Sequence, residues 1–125
     1  MTITTEVEIS RKLLEAADTD ITAFFAFFSD DCVFRMANNA PVIGKSAIQS
    51  WVGEYLGSVA SMRHEIIEAW SEDNVTAVRV EVTYTMQNGE PFTLPAVTRT
   101  RIEGQKVTEY LIFIDPSPVV CASAK

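Results

Sequence analysis

The chain has 125 residues, 47% apolar and 22% charged, which is the size and balance of one domain with one core. Seventeen acidic residues against ten basic ones leave a net charge of −7, with no Lys/Arg cluster, so a nucleic-acid partner is disfavoured because its phosphates would be repelled. No apolar run is long enough for a membrane span, and the opening MTITTEVEIS is acidic where a signal peptide is basic, so the expected protein is cytoplasmic, with no membrane partner.

Residues 7–17 place Ile9, Leu13 and Leu14 on one face, which predicts a first helix. Asp18 or Asp20 suits the cap of a second helix over residues 21–28, with Phe24, Phe25 and Phe28 as a core stripe. Asp30 and Asp31 end it, residues 32–36 form a short strand, and Asn38, Asn39 and Pro41 turn the chain. Ser46 and Gln49 have the spacing of a capping box for a third helix reaching about Leu56, with Ile48, Trp51, Val52 and Tyr55 on its buried side.

After Ser58 the texture becomes strand-like in four runs, residues 62–70, 75–86, 92–102 and 107–114. They are separated by Glu72-Asp73-Asn74, Asn88-Gly89-Glu90 and Glu103-Gly104-Gln105, all turn chemistry. Helices first and an antiparallel meander second predict an α+β fold, helices on one face of the sheet, in a single domain spanning 1–125. Residues 117–125 read as a flexible tail.

Scarce cysteine and histidine narrow the chemistry. Cys32 and Cys121 lie far apart, His64 is the sole imidazole, and no nucleophile-elbow motif accompanies it. The five glycines are isolated, so no phosphate-cradling loop exists. The expectation is no metal and no cofactor, with Cys32 a buried, inert thiol.

The stretch FSDDCVFRMANNAPVIGKSAI, followed by VRVEVTY, LPAVTRTRI and KVTEYLIFIDPSP, resembles the SnoaL-like branch of the nuclear-transport-factor-2-like superfamily across residues 8–118. The resemblance implies a strongly curved, mostly antiparallel sheet forming a cone, closed by three N-terminal helices around a deep apolar pocket. Relatives include ketosteroid isomerases, limonene-epoxide hydrolases, polyketide cyclases and non-catalytic binding domains, so fold alone does not choose a reaction. The general-base Asp, helix-one Tyr and protonated Asp of a ketosteroid isomerase fall at Met36, near Lys12 or Leu13, and at Thr98, which excludes that activity. Arg79-Val80-Glu81 resembles the Arg-x-Asp element of the epoxide hydrolases, but their second Asp aligns with Ile112, and their Tyr/Asn pair with Phe34 and Met36.

Strand parity puts Val78, Val80, Val82 and Tyr84 on one face and Arg79, Glu81 and Thr83 on the other. If the valines face the core, Arg79 and Glu81 are a solvated surface pair. The resemblance favours the opposite orientation, with the valine stripe on the convex face as a homodimer interface and the charged pair in the pocket. The expected function is then cofactor-free proton-transfer chemistry (isomerisation, cyclisation, dehydration or epoxide hydrolysis) on a small apolar organic ligand. Glu81 is its base, Arg79 its orienter, and His64 either an acid–base group at the pocket mouth or a half-exposed strand residue. Phe34, Met36, Trp51, Tyr55, Thr98, Tyr110 and Ile112 line the ligand site. The alternative is a non-catalytic ligand-binding or dimeric interaction domain.

Overall fold

The computed structural model describes residues 5–123. Helices α1 (Thr5–Thr19) and α2 (Ile21–Ala26) precede strand β1 (Phe28–Met36), the short strand β2 (Val42–Ile43) and helix α3 (Lys45–Tyr55). The meander β3 (Val59–Glu72), β4 (Val75–Met86), β5 (Pro91–Glu103) and β6 (Lys106–Ile114) follows, and helix α4 (Ser117–Ser123) closes the chain. The class is α+β, as expected. The six strands form one sheet in the order β2-β1-β6-β5-β4-β3, mixed because β1 runs parallel to β6, and it is not closed into a barrel. No helix among the described residues is long and apolar enough to cross a membrane.

The first two helices follow their sequence signals. Leu13, Leu14 and Ala16 bury the inner stripe of α1, and the Asp20 carboxylate caps α2 by accepting the Ala23 N–H at 3.3 Å. The second helix is shorter than its aromatic stripe suggests. It stops at Ala26 because the chain then pairs with β6: Phe28 stands opposite Val107, and the Val107 N–H donates to the Phe27 carbonyl at 2.8 Å. Asp30 and Asp31 therefore lie within β1 instead of ending a helix. Phe28, fully buried from its strand position, still meets Phe24 at 5.0 Å and Tyr110 at 5.9 Å between ring centroids. Tertiary pairing outweighs local period here.

Two other expectations change. The capping box at Ser46 and Gln49 is not formed; Gly44 is the N-cap of α3, without a side-chain cap, at a φ of 96° that favours glycine. Its N–H donates to the Cys32 carbonyl at 2.9 Å, tying the helix start to β1. The supposed flexible tail is a helix over Ser117–Ser123, residues 124–125 lying outside the described residues. Pro118 sits in the first turn of this helix, where proline is tolerated. The Asp115 carboxylate accepts both the Ser117 N–H, at 3.1 Å, and the Ser117 hydroxyl, at 2.5 Å, bonds that hold its pKa below the usual carboxylate range. Fully buried Val119 packs with Val82, Tyr84, Met86 and Leu94.

Cys32 is completely buried, and desolvation pushes its thiol pKa up to about 12, whereas Cys121 is exposed. Ellman titration of the native protein near pH 8 is expected to count one reactive thiol, and titration in denaturant two. Two fast thiols in the native state would contradict the packing of β1.

Candidate functional site

Strands β4 and β5 alternate strictly. On β4 Thr76, Val78, Val80, Val82, Tyr84 and Met86 are buried, and on β5 Leu94, Ala96, Thr98, Thr100 and Ile102 are buried. These residues face the helices. The intervening residues, Arg79 and Glu81 among them, point to solvent on the opposite face. Arg79 pairs with Glu68 at 3.1 Å, both about half exposed, a surface contact worth about 0–1 kcal/mol. Glu81 stands opposite Glu65 across β3 and β4, in a shallow outer groove with Arg63, Thr83 and Thr93.

The inward placement of Arg79 and Glu81 is therefore overturned, and with it their role as orienter and base. The physical reason is direct: the valine face satisfies the hydrophobic term by meeting α1, and two charges in that core would need compensation the fold does not provide. The valine stripe, being interior, also gives no reason for two copies to pair. The outer face that replaces it is mixed, with exposed Trp70 and Phe113 among the Arg79–Glu68 and Arg99–Glu109 ion pairs.

Between the inner sheet face and the helices lies a cavity of about 50 Å³. Phe34, Met36, Tyr55, His64, Thr98, Tyr110 and Ile112 line it, together with Val80, Val82 and Tyr84 from β4. Trp51 does not reach the lining; it backs the wall, 5.5 Å from both Phe34 and Tyr55 and stacked on the latter. At roughly 10–15 Å³ per water the cavity has room for a few waters. It is well below the roughly 300–1,000 Å³ of sites that enclose larger ligands. Outside it, a groove of about 420 Å³ runs between the α1–α2 corner, α3 and the start of β3, sharing Ala17, Ile21, Val52, Leu56 and Met62 with the cavity wall.

The polar chemistry of the cavity is concentrated at His64. Its Nδ1 lies 2.6 Å from Asp18 Oδ1, and its backbone N–H donates to Asp18 Oδ2 at 2.8 Å. Both side chains are largely shielded, 11% and 14% exposed. A carboxylate accepts only, so Nδ1 carries the proton in the neutral ring and Nε2 keeps its lone pair. Of the open alternatives for His64, the structure selects the cavity wall. Asp18 was legible only as a helix cap. One signal was available: it sits in the last turn of α1, where a negative charge opposes the helix dipole, and no basic residue offsets it there.

A second polar pair also lines the cavity. The hydroxyls of Tyr55 and Tyr84 approach to 3.5 Å, and the rings meet edge to face at 6.2 Å. Burial raises both phenols above the ordinary range, and it raises Tyr110 as well, with the nearby Asp18 charge adding to the effect. Thr98, expected as a ligand contact, contributes a buried hydroxyl to the wall. Met36, Thr98 and Ile112 all line the cavity and bring no carboxylate to it.

A family model described as a SnoaL-like domain matches residues 11–110. No curated protein matches the chain. Among solved structures, a protein from Catenulispora acidiphila DSM 44928 with a ketosteroid isomerase-like fold, crystallised with trimethylamine, is 20% identical over 94% of this chain and 92% of its own, at a TM-score of 0.79. A protein from Jannaschia sp. CCS1, named as a SnoaL-like polyketide cyclase, is 16% identical over 98% and 94%, at 0.81. AclR from Streptomyces galilaeus, named as a hydroxylase, is 18% identical over 99% and 87%, at 0.81. These identities speak for the fold alone.

Two tests follow. Val80→Lys should unfold or severely destabilise the protein, since it buries an unpaired ammonium. Arg79→Ala and Glu81→Gln should each stay within about 0.5 kcal/mol of wild type in denaturant unfolding. A tolerated Val80→Lys beside a damaging Arg79→Ala would reverse the two faces. Titration of the three tyrosines supplies the second test. Because folding raises each phenol above its unfolded value near 10, the stability this contributes is complete below about pH 10 and lost as pH rises through the folded-state values. Phenolate absorbance should therefore rise together with loss of circular dichroism above pH 10; independent titration of a folded protein near pH 10 would contradict the burial.

Proposed function

The chain belongs to the SnoaL-like domain family, and we propose that it is a cofactor-free enzyme of proton transfer, acting on a small, largely apolar organic molecule with His64 as the acid–base group. The observation that carries this reading is the His64–Asp18 pair set into the cavity wall. Asp18 fixes the imidazole by two contacts to one residue, ring and backbone, so the ring is oriented and its tautomer chosen. Nε2 is then the base. When it takes a proton, the carboxylate offsets the imidazolium that forms, and the same nitrogen returns the proton at another atom of the substrate. The largely apolar walls leave room for only a few waters beside the ring. Similarity to proteins named as cyclase and hydroxylase supports small-molecule chemistry in this scaffold without choosing the reaction.

A second reading is binding of an apolar ligand without turnover. It is favoured by the position of Glu81 and Arg79 outside the cavity and by the absence of carboxylates at Met36, Thr98 and Ile112.

One experiment separates the readings. The protein is incubated in D2O with a panel of small neutral ketones, hydroxyketones and epoxides, and solvent deuterium entering carbon or new product is followed by mass spectrometry. Enzymatic wash-in or conversion is expected for at least one class, reduced about 10²–10⁴-fold in His64→Gln and partly in Asp18→Asn, and unchanged in Glu81→Gln. Binding without wash-in or product in the wild type would favour the ligand-binding reading.

A further inference from the structure

The face of α3 that meets the outer groove is bare at one position. Gln49, Val52, Gly53 and Leu56 recur at helical spacing, and all line the groove. Gly53 is exposed, and a Cβ built on it would meet nothing within 4 Å. Its φ is not positive, the left-handed glycines being Gly44, Gly89 and Gly104, and the helix ends later, at the C-cap Leu56. Neither a turn, a cap nor close packing requires glycine here. After proline, glycine is the residue a helix interior tolerates least. What it leaves is room in the groove.

The groove, about 420 Å³, has the size of a ligand site, whereas the cavity of about 50 Å³ holds a few waters. The two adjoin along Ala17, Ile21, Val52, Leu56 and Met62, which line both. On β3, Ala60 lines the groove, Met62 both spaces and His64 the cavity. On α3, Gly53 lines the groove, Val52 and Leu56 both spaces and Tyr55 the cavity. The cavity has room for the end of an organic molecule, and the groove has room for the remainder. Ile21, Phe25, Val59 and Met62 offer that remainder apolar contact. Asp18 and Asp20 also line the groove, with no Lys, Arg or His among the described residues beside them, so its field opposes an anion.

We infer that cavity and groove are two halves of one ligand site. The ligand is a neutral, elongated, largely apolar molecule whose narrow end enters the cavity and whose body lies in the groove along α3. Gly53 sets how bulky that body is. This rests on the reading of the cavity as a ligand site, and it holds whether or not His64 turns the ligand over. A longer chain then gains affinity beyond the length that fills the cavity, and a side chain at position 53 removes that gain.

The test uses 1-propanol, 1-decanol and decanoate, titrated below their solubility limits into ¹⁵N-labelled wild type, Gly53→Leu and Gln49→Trp while amide shifts are followed. The amides of His64 and Thr98 report the cavity, and those of Ala60 and Ser61 the groove. Propanol should move the cavity reporters alone. Decanol should move both sets and bind about tenfold more tightly or better, since each buried methylene adds up to about fourfold. Decanoate should bind about threefold or more weakly than decanol. Gly53→Leu should lose about tenfold of decanol affinity and keep that of propanol, with a melting temperature no lower than wild type. Gln49→Trp, one turn earlier on the same face, should act in the same sense. Decanol affinity untouched by both variants, decanol shifts confined to one set, or decanoate binding as tightly as decanol would overturn the joint site. Propanol shifts at the cavity reporters would then leave the cavity reading standing. Silence of those reporters toward both alcohols would defeat that reading and the joint site with it.

Discussion

Leu14 of α1 packs with Val78 and Val80 of β4 and Ala96 of β5 in one buried cluster, and this contact sets the parity of the two central strands. A strand has only two faces, so placing the valines against the helix sends Arg79 and Glu81 to solvent and brings Val82 and Tyr84 into the cavity. The register to β3 carries the same choice one strand further, to Met62 and His64. A slip of one residue would exchange every one of these side chains. The site is in this sense a by-product of the core: its polar groups occupy positions that hydrophobic packing has already assigned to the interior.

The helices and the meander were legible because their signals are local: the inner stripe of α1, the Asp20 cap and the turns at Asp73, Gly89 and Gly104. The two-face pattern of β4 was legible too. Its orientation was not, because period two divides a strand without saying which side meets the core. The simple hydrophobic reading, valines inward, is the one the structure adopts. Preferring the reverse required burying Arg79 and Glu81 to gain an interface, a trade that hydrophobic burial against α1 outweighs. The extent of α2 and the existence of α4 depended on pairing and packing with distant residues, Val107 for the first and the Val82–Leu94 cluster for the second.

The candidate site was half legible for a similar reason. Tyr55 and Tyr110 could be placed by element and parity, Phe34, Met36, Thr98 and Ile112 only by the family resemblance, and all six reach the cavity. The pairing of Asp18 with His64 spans 46 residues and joins a helix end to a strand, with no spacing rule to announce it. Only the position of Asp18, a negative charge against the negative end of its own helix, marks it as a residue with a partner elsewhere. That partner accounts for both carboxylate oxygens, one on the ring and one on the backbone.

Because His64 is the sole histidine, its ring can be observed in isolation. A long-range ¹H–¹⁵N correlation spectrum of uniformly labelled, untagged protein, recorded where the ring is neutral, reads the tautomer directly. The His64–Asp18 contact predicts proton on Nδ1 and a free Nε2 in wild type, with that preference lost in Asp18→Asn. A wild-type ring protonated on Nε2, or one exchanging freely between tautomers, would contradict the account of the site at its base.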